Sequence, residues 1–350
     1  MQPVSVVFYI SGHGFGHASR SIEIINALVD RRPDVSVVVR SQVAPWLFEL
    51  TARPGVVLET LQCDTGIAQI DSLHLDERKT VDHARAFLAT MASRVAAEAS
   101  RLHELKADLV VADIPPLGIA AAHAAGVPAV ACGNFTWDWI YSVYQGGADV
   151  AESIGEIYRN TTLALRLPMW GGFATMPSVR DVPFVARHST RDPEEVRRAL
   201  GYSPHERLVL LSFGGYGLRI DADALSALEG YRIVDTEELD ERALYAGGFR
   251  YEDLVRAVDV VLTKPGYGIT SECLANDTAL LYTSRGHFVE YDVLVAAMPR
   301  FLRCAFIGHD DLFAGRWQPH LDALLAQPEP PESPATNGAA IAAAVLLDMV

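Results

Sequence analysis

The chain has 350 residues, half of them hydrophobic, and a formal net charge of −15. That length can fill two packed cores, so two domains are expected. A chain this acidic repels nucleic acid and anionic membranes at long range, which excludes both as expected partners and requires any phosphate site to be built locally. The four cysteines, Cys63, Cys132, Cys273 and Cys304, have neither metal-ligand spacing nor a disulfide framework. No basic stretch precedes the first apolar run, and no segment has membrane-spanning length. A cytoplasmic protein in a reducing compartment fits these features.

Strand-like apolar runs alternate with helical patterns along almost the whole chain. "VSVVFYI" (4–10) is followed by "SIEIINALVDRR", whose Ile22, Ile25, Leu28 and Val29 share a helical face. "VSVVVR" (35–40), the short helix-like "APWLFEL" and "VVLETL" (56–61) come next, then one long helix over 80–105. "ADLVVADI" (107–114), "IAAAHAAG" and "PAVACGN" (128–134) form a further strand–helix–strand unit. The pattern restarts after "RDVPFVAR" (180–187), with strands "RLVLLSFG", "YRIVD", "VDVVLTKPG" and "TALLYTS". Helices "EDLVRAV", "TSECLAND" and "YDVLVAAM" lie among them. Continuous Val/Ile/Leu runs separated by helices mean parallel strands buried on both faces. The expected fold class is therefore α/β, with two doubly wound, Rossmann-like domains facing a cleft. The boundaries are 1–185 and 186–335, and an Ala-rich helix at 336–350 follows a Pro-rich stretch and crosses back to the first domain.

Three glycine loops follow strands. In "SGHGFGH", Gly12, Gly14 and Gly16 let backbone N–H groups approach a ligand. The spacing is G-x-G-x-G and lacks the third glycine of the dinucleotide fingerprint. His17 falls at the helix start, where the positive end of the dipole favours a neutral imidazole that can take a proton from a hydroxyl; His13 is the second candidate. In "SFGGYG", Gly214, Gly215, Tyr216 and Gly217 form a loop able to wrap a pyrophosphate. In "TKPGYGITSE", Lys264 supplies a cation beside Gly266 and Gly268, and Thr270 or Ser271 can cap the next helix. Glu272 is expected in that helix's first turn, where it can either complement the dipole or hold ribose hydroxyls. Asp113 ends the strand "ADLVVAD". Asn134, Trp137 and Asp138 in "GNFTWDWIY" are acceptor-side candidates, by sugar stacking or as a packed aromatic helix. His287 and Glu290 in "RGHFVEY" are candidates for donor-sugar hydroxyls.

"TKPGYGITSE" resembles the donor signature of GT-B glycosyltransferases, notably galactolipid synthases and the N-acetylglucosaminyltransferase of peptidoglycan precursor synthesis. "GGYG" resembles their phosphate loop, and "GHGFGH" their first glycine loop ending in histidine. Nearly the whole chain is similar to the N-terminal, glycosyltransferase-like half of plant L-arabinokinases, through "GHGFGHASR", "NFTWDWIY", "RLP", "FGG", "GYGITSE" and "GRWQPHL" in order. The kinase activity of that family belongs to a separate domain and is not implied. A departure is Lys264, where arginine is common in the donor signature. The resemblance implies that Glu272 holds the ribose of UDP, that Asp113 orients the histidine base, and that the chain is a nucleotide-sugar glycosyltransferase.

The expected reaction is transfer from a UDP-linked sugar to an acceptor hydroxyl, with inversion. No acidic metal pair is evident, so neither metal nor separate cofactor is expected. Two alternatives stay open: a nucleotide-sugar 2-epimerase or hydrolase using Asp113 and Glu290, and a non-catalytic nucleotide-sugar-binding module. Donor sugar, acceptor and oligomeric state are not specified by these motifs.

Overall fold

The computed structural model describes residues 4–213, 220, 228–235, 245 and 247–350. The chain divides into two compact units. Unit 1 takes residues up to Gln69, then Leu75–Val185 and Ala335–Val350; unit 2 takes Ile70–His74 and Ala186–Pro334. The short stretch 70–74, read from sequence as part of the first domain, packs with the second: Leu73 is buried in its core.

Unit 1 is built on seven parallel strands: β1 (Ser5–Ile10), β2 (Ser36–Ser41), β3 (Val57–Thr60), β4 (Leu109–Asp113), β5 (Ala129–Phe135), β6 (Leu163–Gly171) and β7 (Val179–Asp181). Their order is β3-β2-β1-β4-β5-β6-β7. Every residue of β1, β4 and β5 is buried, as an uninterrupted apolar run requires when helices cover both faces. The order reverses between β1 and β4, where Ile10 pairs in register with Asp113. In open parallel sheets that reversal leaves a crevice beyond the strand ends, and ligands bind there.

The first helix, Phe15–Arg31, starts after Gly14 at φ 75°, a backbone conformation that favours glycine. It buries Ile22, Ile25 and Leu28 against the sheet. The C-terminal helix, Gly338–Leu347, adds Ala342, Val345 and Leu346 to the same core. The single long helix expected over 80–105 is two helices, Glu77–Ala89 and Met91–Glu104. Thr90 breaks them at φ −101°, ψ 4°, and its hydroxyl donates to the Phe87 carbonyl at 2.8 Å. Such local bonds let threonine compete with the helix ladder. Strands β6 and β7 were not legible: β6 carries Arg166 and Pro168, and all three residues of β7 are exposed.

Among the described residues, unit 2 has five parallel strands: β8 (Arg207–Leu211), β9 (Tyr231–Asp235), β10 (Val260–Thr263), β11 (Ala279–Thr283) and β12 (Cys304–Ile307), in the order β12-β11-β10-β8-β9. Leu208, Leu210, Val261 and Leu280 fill the core on one face, and Val209, Leu211, Leu262 and Leu281 that on the other. The order reverses between β8 and β10. Among the described residues, no helix is long and apolar enough to cross a membrane.

Candidate active site

The switch point of unit 1 carries a buried charged cluster. His17, in the first turn of the first helix, places Nδ1 2.9 Å from Asp113 Oδ1 at the end of β4. His17 is 8% exposed and Asp113 1%. Phe135, at the end of β5, meets the imidazole edge to face at a centroid distance of 5.6 Å. Burial alone would raise the Asp113 carboxyl, but the Arg20 charge and hydrogen bonds, then His17, hold it well below the usual carboxylate range. Arg20 Nε donates to Asp113 Oδ2 at 2.7 Å, Ser21 Oγ donates to the same oxygen at 2.8 Å, and Arg20 Nη2 donates to Oδ1. Arg20 Nη1 donates to Asn134 Oδ1 at 2.7 Å. Arg20 Nη2 also lies 2.9 Å from His17 Nδ1. A guanidinium only donates and a carboxylate only accepts. Nδ1 donates to Asp113 in the tautomer protonated there, which leaves Nε2 as the basic nitrogen, and accepts from Arg20 in the other tautomer.

Sequence reading missed Arg20, although it lies one helical turn from His17 on the same face, a spacing that brings side chains together. It also missed Asp64, which follows β3. Asp64 Oδ1 accepts from Ser11 Oγ at 3.1 Å, and Oδ2 from the Trp137 indole at 3.0 Å. Burial pushes the Asp64 carboxyl up, against the lowering effect of the His17 charge and these two donors. The available signal was a carboxylate beside a glycine in "CDTG", just beyond a strand.

His13 stands apart from this cluster. Its Nε2 is 3.2 Å from Gln69 Nε2, and its ring rests on Gly66. Gly66 has φ +58°, and a Cβ there would come within 2.7 Å of the His13 ring. Gly12, Gly14 and Gly16 are exposed, with open space over Gly14 and Gly16. Of the two readings of "GNFTWDWIY", the packed aromatic helix is the one that the burial of Trp137 and Asn134 matches. Trp137 is 1% exposed and Asn134 3%, so neither presents a face to a sugar. Asn134 Nδ2 donates to the Pro168 carbonyl at 2.8 Å while its oxygen takes Arg20, so the amide supports the cluster. Asp138 Oδ2 accepts from Thr175 Oγ1 at 2.7 Å and Oδ1 from the Trp139 amide at 2.9 Å, which ties a helix start to the β6–β7 connection.

At the switch point of unit 2, Gly214, Gly215, Tyr216 and Gly217 lie outside the described residues. The loop after β10 leads into the helix Tyr267–Ala275, which begins three residues before the predicted "TSECLAND". Burial of Tyr267, at 8% exposure, outweighs the poor helix propensity of Gly268. Two expectations fall with this register. Thr270 and Ser271 do not cap the helix: Thr270 Oγ1 is 3.6 Å from Met298 Sδ, and Ser271 Oγ donates to the Tyr267 carbonyl at 2.8 Å. Glu272 lies in the second turn, outside the reach of the helix-end dipole. The helix has Gly266 as N-cap, no side-chain cap and no acidic residue in its first turn. A helix start of this kind is where an anion can bind.

Lys264 stands beside that helix start. Burial, reinforced by the Arg285 charge, lowers its ammonium to about 8. Arg285 Nη1 donates to the Pro265 carbonyl at 3.2 Å, and the guanidinium lies over the Phe288 ring. Glu290 is 8% exposed; one oxygen is 3.7 Å from Arg285 Nη1, and Oε2 is buried with no hydrogen-bond partner among the described residues. His287 is exposed. Glu272 is 5% exposed and accepts from Arg187 Nε at 2.7 Å. Its carboxyl is raised by burial, which the Arg187 charge only partly offsets.

Residues 4–139 match the family described as Glycosyl transferase family 1. L-arabinokinase of Arabidopsis thaliana is 30% identical over 355 residues, covering 97% of this chain and 34% of the relative. The chain thus spans about a third of that protein's length. Among solved structures, Medicago truncatula UGT71G1 complexed with UDP-glucose superposes with a TM-score of 0.65 at 11% identity, covering 99% of this chain and 98% of the other. The glycosyltransferase SnogD of Streptomyces nogalater gives 0.55 at 14% identity, covering 100% of both chains. Acinetobacter baumannii MurG gives 0.51 at 12%, covering 99% and 100%. The fold is the GT-B fold of glycosyltransferases.

Proposed function

We propose that the protein is a glycosyltransferase that moves a sugar from a UDP-linked donor to an acceptor hydroxyl, with inversion and without a metal ion. The observation that carries this reading is the His17–Asp113 pair, hydrogen-bonded at 2.9 Å where the strand order of unit 1 reverses. His17 Nε2 takes the proton of the acceptor hydroxyl, and Asp113 fixes the ring and offsets the charge that develops on it. The hydroxyl oxygen bonds to the anomeric carbon as the bond to the diphosphate oxygen breaks on the opposite face, which inverts the centre. The departing diphosphate gathers negative charge. Lys264 and the leading amides of the helix Tyr267–Ala275, in unit 2, are the groups assigned to that charge, and fixed positive groups there lower the barrier. Glu272 and Glu290 are the acceptors assigned to ribose and donor-sugar hydroxyls, and His287 is assigned to the donor sugar. The glycosyl transferase family 1 match and the UDP-glucose-bound neighbour support the donor class.

Asp113 is engaged by Arg20 and Ser21, which leaves it poorly placed to act as a free acid or base in the epimerase or hydrolase reading. A module that only binds its ligand has no need of a buried histidine–carboxylate pair. The test is incubation with a panel of UDP-sugars and candidate hydroxyl acceptors, with and without EDTA. Formation of a glycoside at an equal rate under chelation is expected. A new UDP-sugar without acceptor would identify an epimerase. Loss of turnover with EDTA, restored by Mg²⁺ or Mn²⁺, would contradict the metal-free assignment.

Lys264 makes nucleotide binding pH-dependent. With its ammonium at about 8, the free protein loses this charge as pH rises through that value. A bound diphosphate favours the charged form, so binding above pH 8 takes up a proton and weakens with rising pH. UDP affinity is expected to fall by up to about tenfold per pH unit above that point. Calorimetric titration from pH 7 to pH 9 should show the fall, and Lys264→Met should flatten it. A slope unchanged by the substitution would remove Lys264 from the diphosphate site.

A further inference from the structure

Glu272 already has a partner. Arg187 reaches one of its oxygens, Oε1, with both Nε at 2.7 Å and Nη2 at 2.5 Å. The third nitrogen, Nη1, donates to the Tyr245 hydroxyl at 3.2 Å and lies 3.5 Å from Oε2 of a second carboxylate, Glu252. That Glu252 oxygen is buried and, among the described residues, has no hydrogen-bond partner. One largely covered cation thus lies between two carboxylates, hydrogen-bonded to Glu272 and only ion-paired, at 3.5 Å, with Glu252. The side chains of Arg187, Glu252 and Glu272 are 12%, 14% and 6% exposed, so water does little to relieve the imbalance.

A vicinal diol binds a carboxylate with one hydroxyl on each oxygen. Oε1 of Glu272 already accepts a hydrogen bond from Arg187 Nε and has Nη2 at 2.5 Å, so the guanidinium crowds that oxygen. A ribose hydroxyl can reach Oε1 only if Arg187 gives up a bond there. Building on the ribose site proposed above, we propose that Arg187 is handed from Glu272 to Glu252 when a nucleotide binds. Glu252 is then a positioning residue that never touches the ligand. The Tyr251 ring, 5.3 Å from the guanidinium carbon, lines its position. In both states the cation has a carboxylate partner, and breaking a buried pair without such a substitute is strongly unfavourable. The arrangement makes the site selective for ribonucleotides, since a sugar without hydroxyls has nothing to displace Arg187.

The test is calorimetric titration of UDP and 2′,3′-dideoxy-UDP into the wild-type protein, Glu252→Gln and Glu272→Ala. Wild type is expected to prefer UDP. In Glu252→Gln, UDP should bind about tenfold more weakly, as for loss of one charge-assisted hydrogen bond, while dideoxy-UDP binds as before. The preference for UDP therefore collapses. Because the preference is a ratio within one variant, partial unfolding does not alter it. Glu252→Asp keeps the charge and should retain a preference within about threefold of wild type. An unchanged preference in Glu252→Gln, together with a lost preference in Glu272→Ala, would overturn the hand-over and leave the ribose site standing. A preference that survives Glu272→Ala, or a wild-type protein that does not bind UDP, would overturn both.

Discussion

Replacing His17 by alanine is expected to cut sugar transfer by about 10²–10⁴-fold, the usual contribution of a general base, and to leave UDP affinity nearly unchanged. The two effects separate because His17 belongs to unit 1 and the groups assigned to the nucleotide belong to unit 2. The substitution also removes a donor from Asp113. That carboxylate keeps Arg20 and Ser21, so it is not left as an unpaired buried charge and the variant should remain folded. His13→Ala is the matched control. His13 contacts Gln69 and Gly66 and is not in the Asp113 cluster, so its loss should disturb the loop without abolishing transfer. Initial rates at saturating donor, with UDP titrations alongside, measure both expectations. Normal transfer by His17→Ala would remove the base from the mechanism. Loss in His13→Ala alone would move that role to the other imidazole of the loop.

Glu272→Ala is expected to give the largest loss of nucleotide affinity. Each charge-assisted hydrogen bond to a ribose hydroxyl is worth about 1.5–3 kcal/mol, so losing two would bring micromolar binding beyond easy detection. The same change strips Arg187 of the carboxylate that it contacts most closely. Breaking a buried ion pair from one side typically costs about 3–5 kcal/mol, and Glu252, 3.5 Å from Nη1, should recover part of that. A lowered melting temperature is therefore expected with the lost affinity. Glu272→Gln, which keeps the shape and one acceptor oxygen, should fall between wild type and alanine in both measurements. A folded Glu272→Ala protein that binds UDP normally would mean that Glu272 serves only to hold Arg187.

Much of the architecture was legible because buried parallel strands are written as unbroken apolar runs. "VSVVFYI" and "ADLVVAD" needed no further clue, and a glycine loop beyond a strand end pointed to the crevice. Adjacency was harder. Ile10 and Asp113 are in register across β1 and β4, but nothing in a linear reading says that these strands are neighbours. Arg20 and Ser21 therefore stayed unseen as partners of Asp113, although His17 and Asp113 had each been singled out. The choice between the two readings of the acceptor-side candidates was not legible for a related reason. "NFTWDWIY" offers aromatic and polar groups together, and only the packing decides which way they face. Here Trp137 turns inward and gives its indole N–H to Asp64. The helix carrying Glu272 was placed a turn late because its opening Tyr-Gly reads as loop, and only the burial of Tyr267 makes it helical.

The chain leaves unit 1 at Val185 and re-enters it at Ala335, and the two crossings run side by side. The Phe184 amide donates to the Ala335 carbonyl at 3.2 Å, Gly338 donates to the Phe184 carbonyl at 2.9 Å, and Val185 bridges Asn337 in antiparallel fashion. Most of unit 2 is therefore an insertion with adjacent ends, and the last helix is a structural part of the first unit. For protein engineering this sets where the chain can be cut. Trimming the C-terminal residues would open the core that Ala342, Val345 and Leu346 close. A short linker from 185 to 335, by contrast, would join two strands of chain already paired through Phe184 with Ala335 and Val185 with Asn337, which marks this pair of crossings as the natural graft site for exchanging residues 186–334.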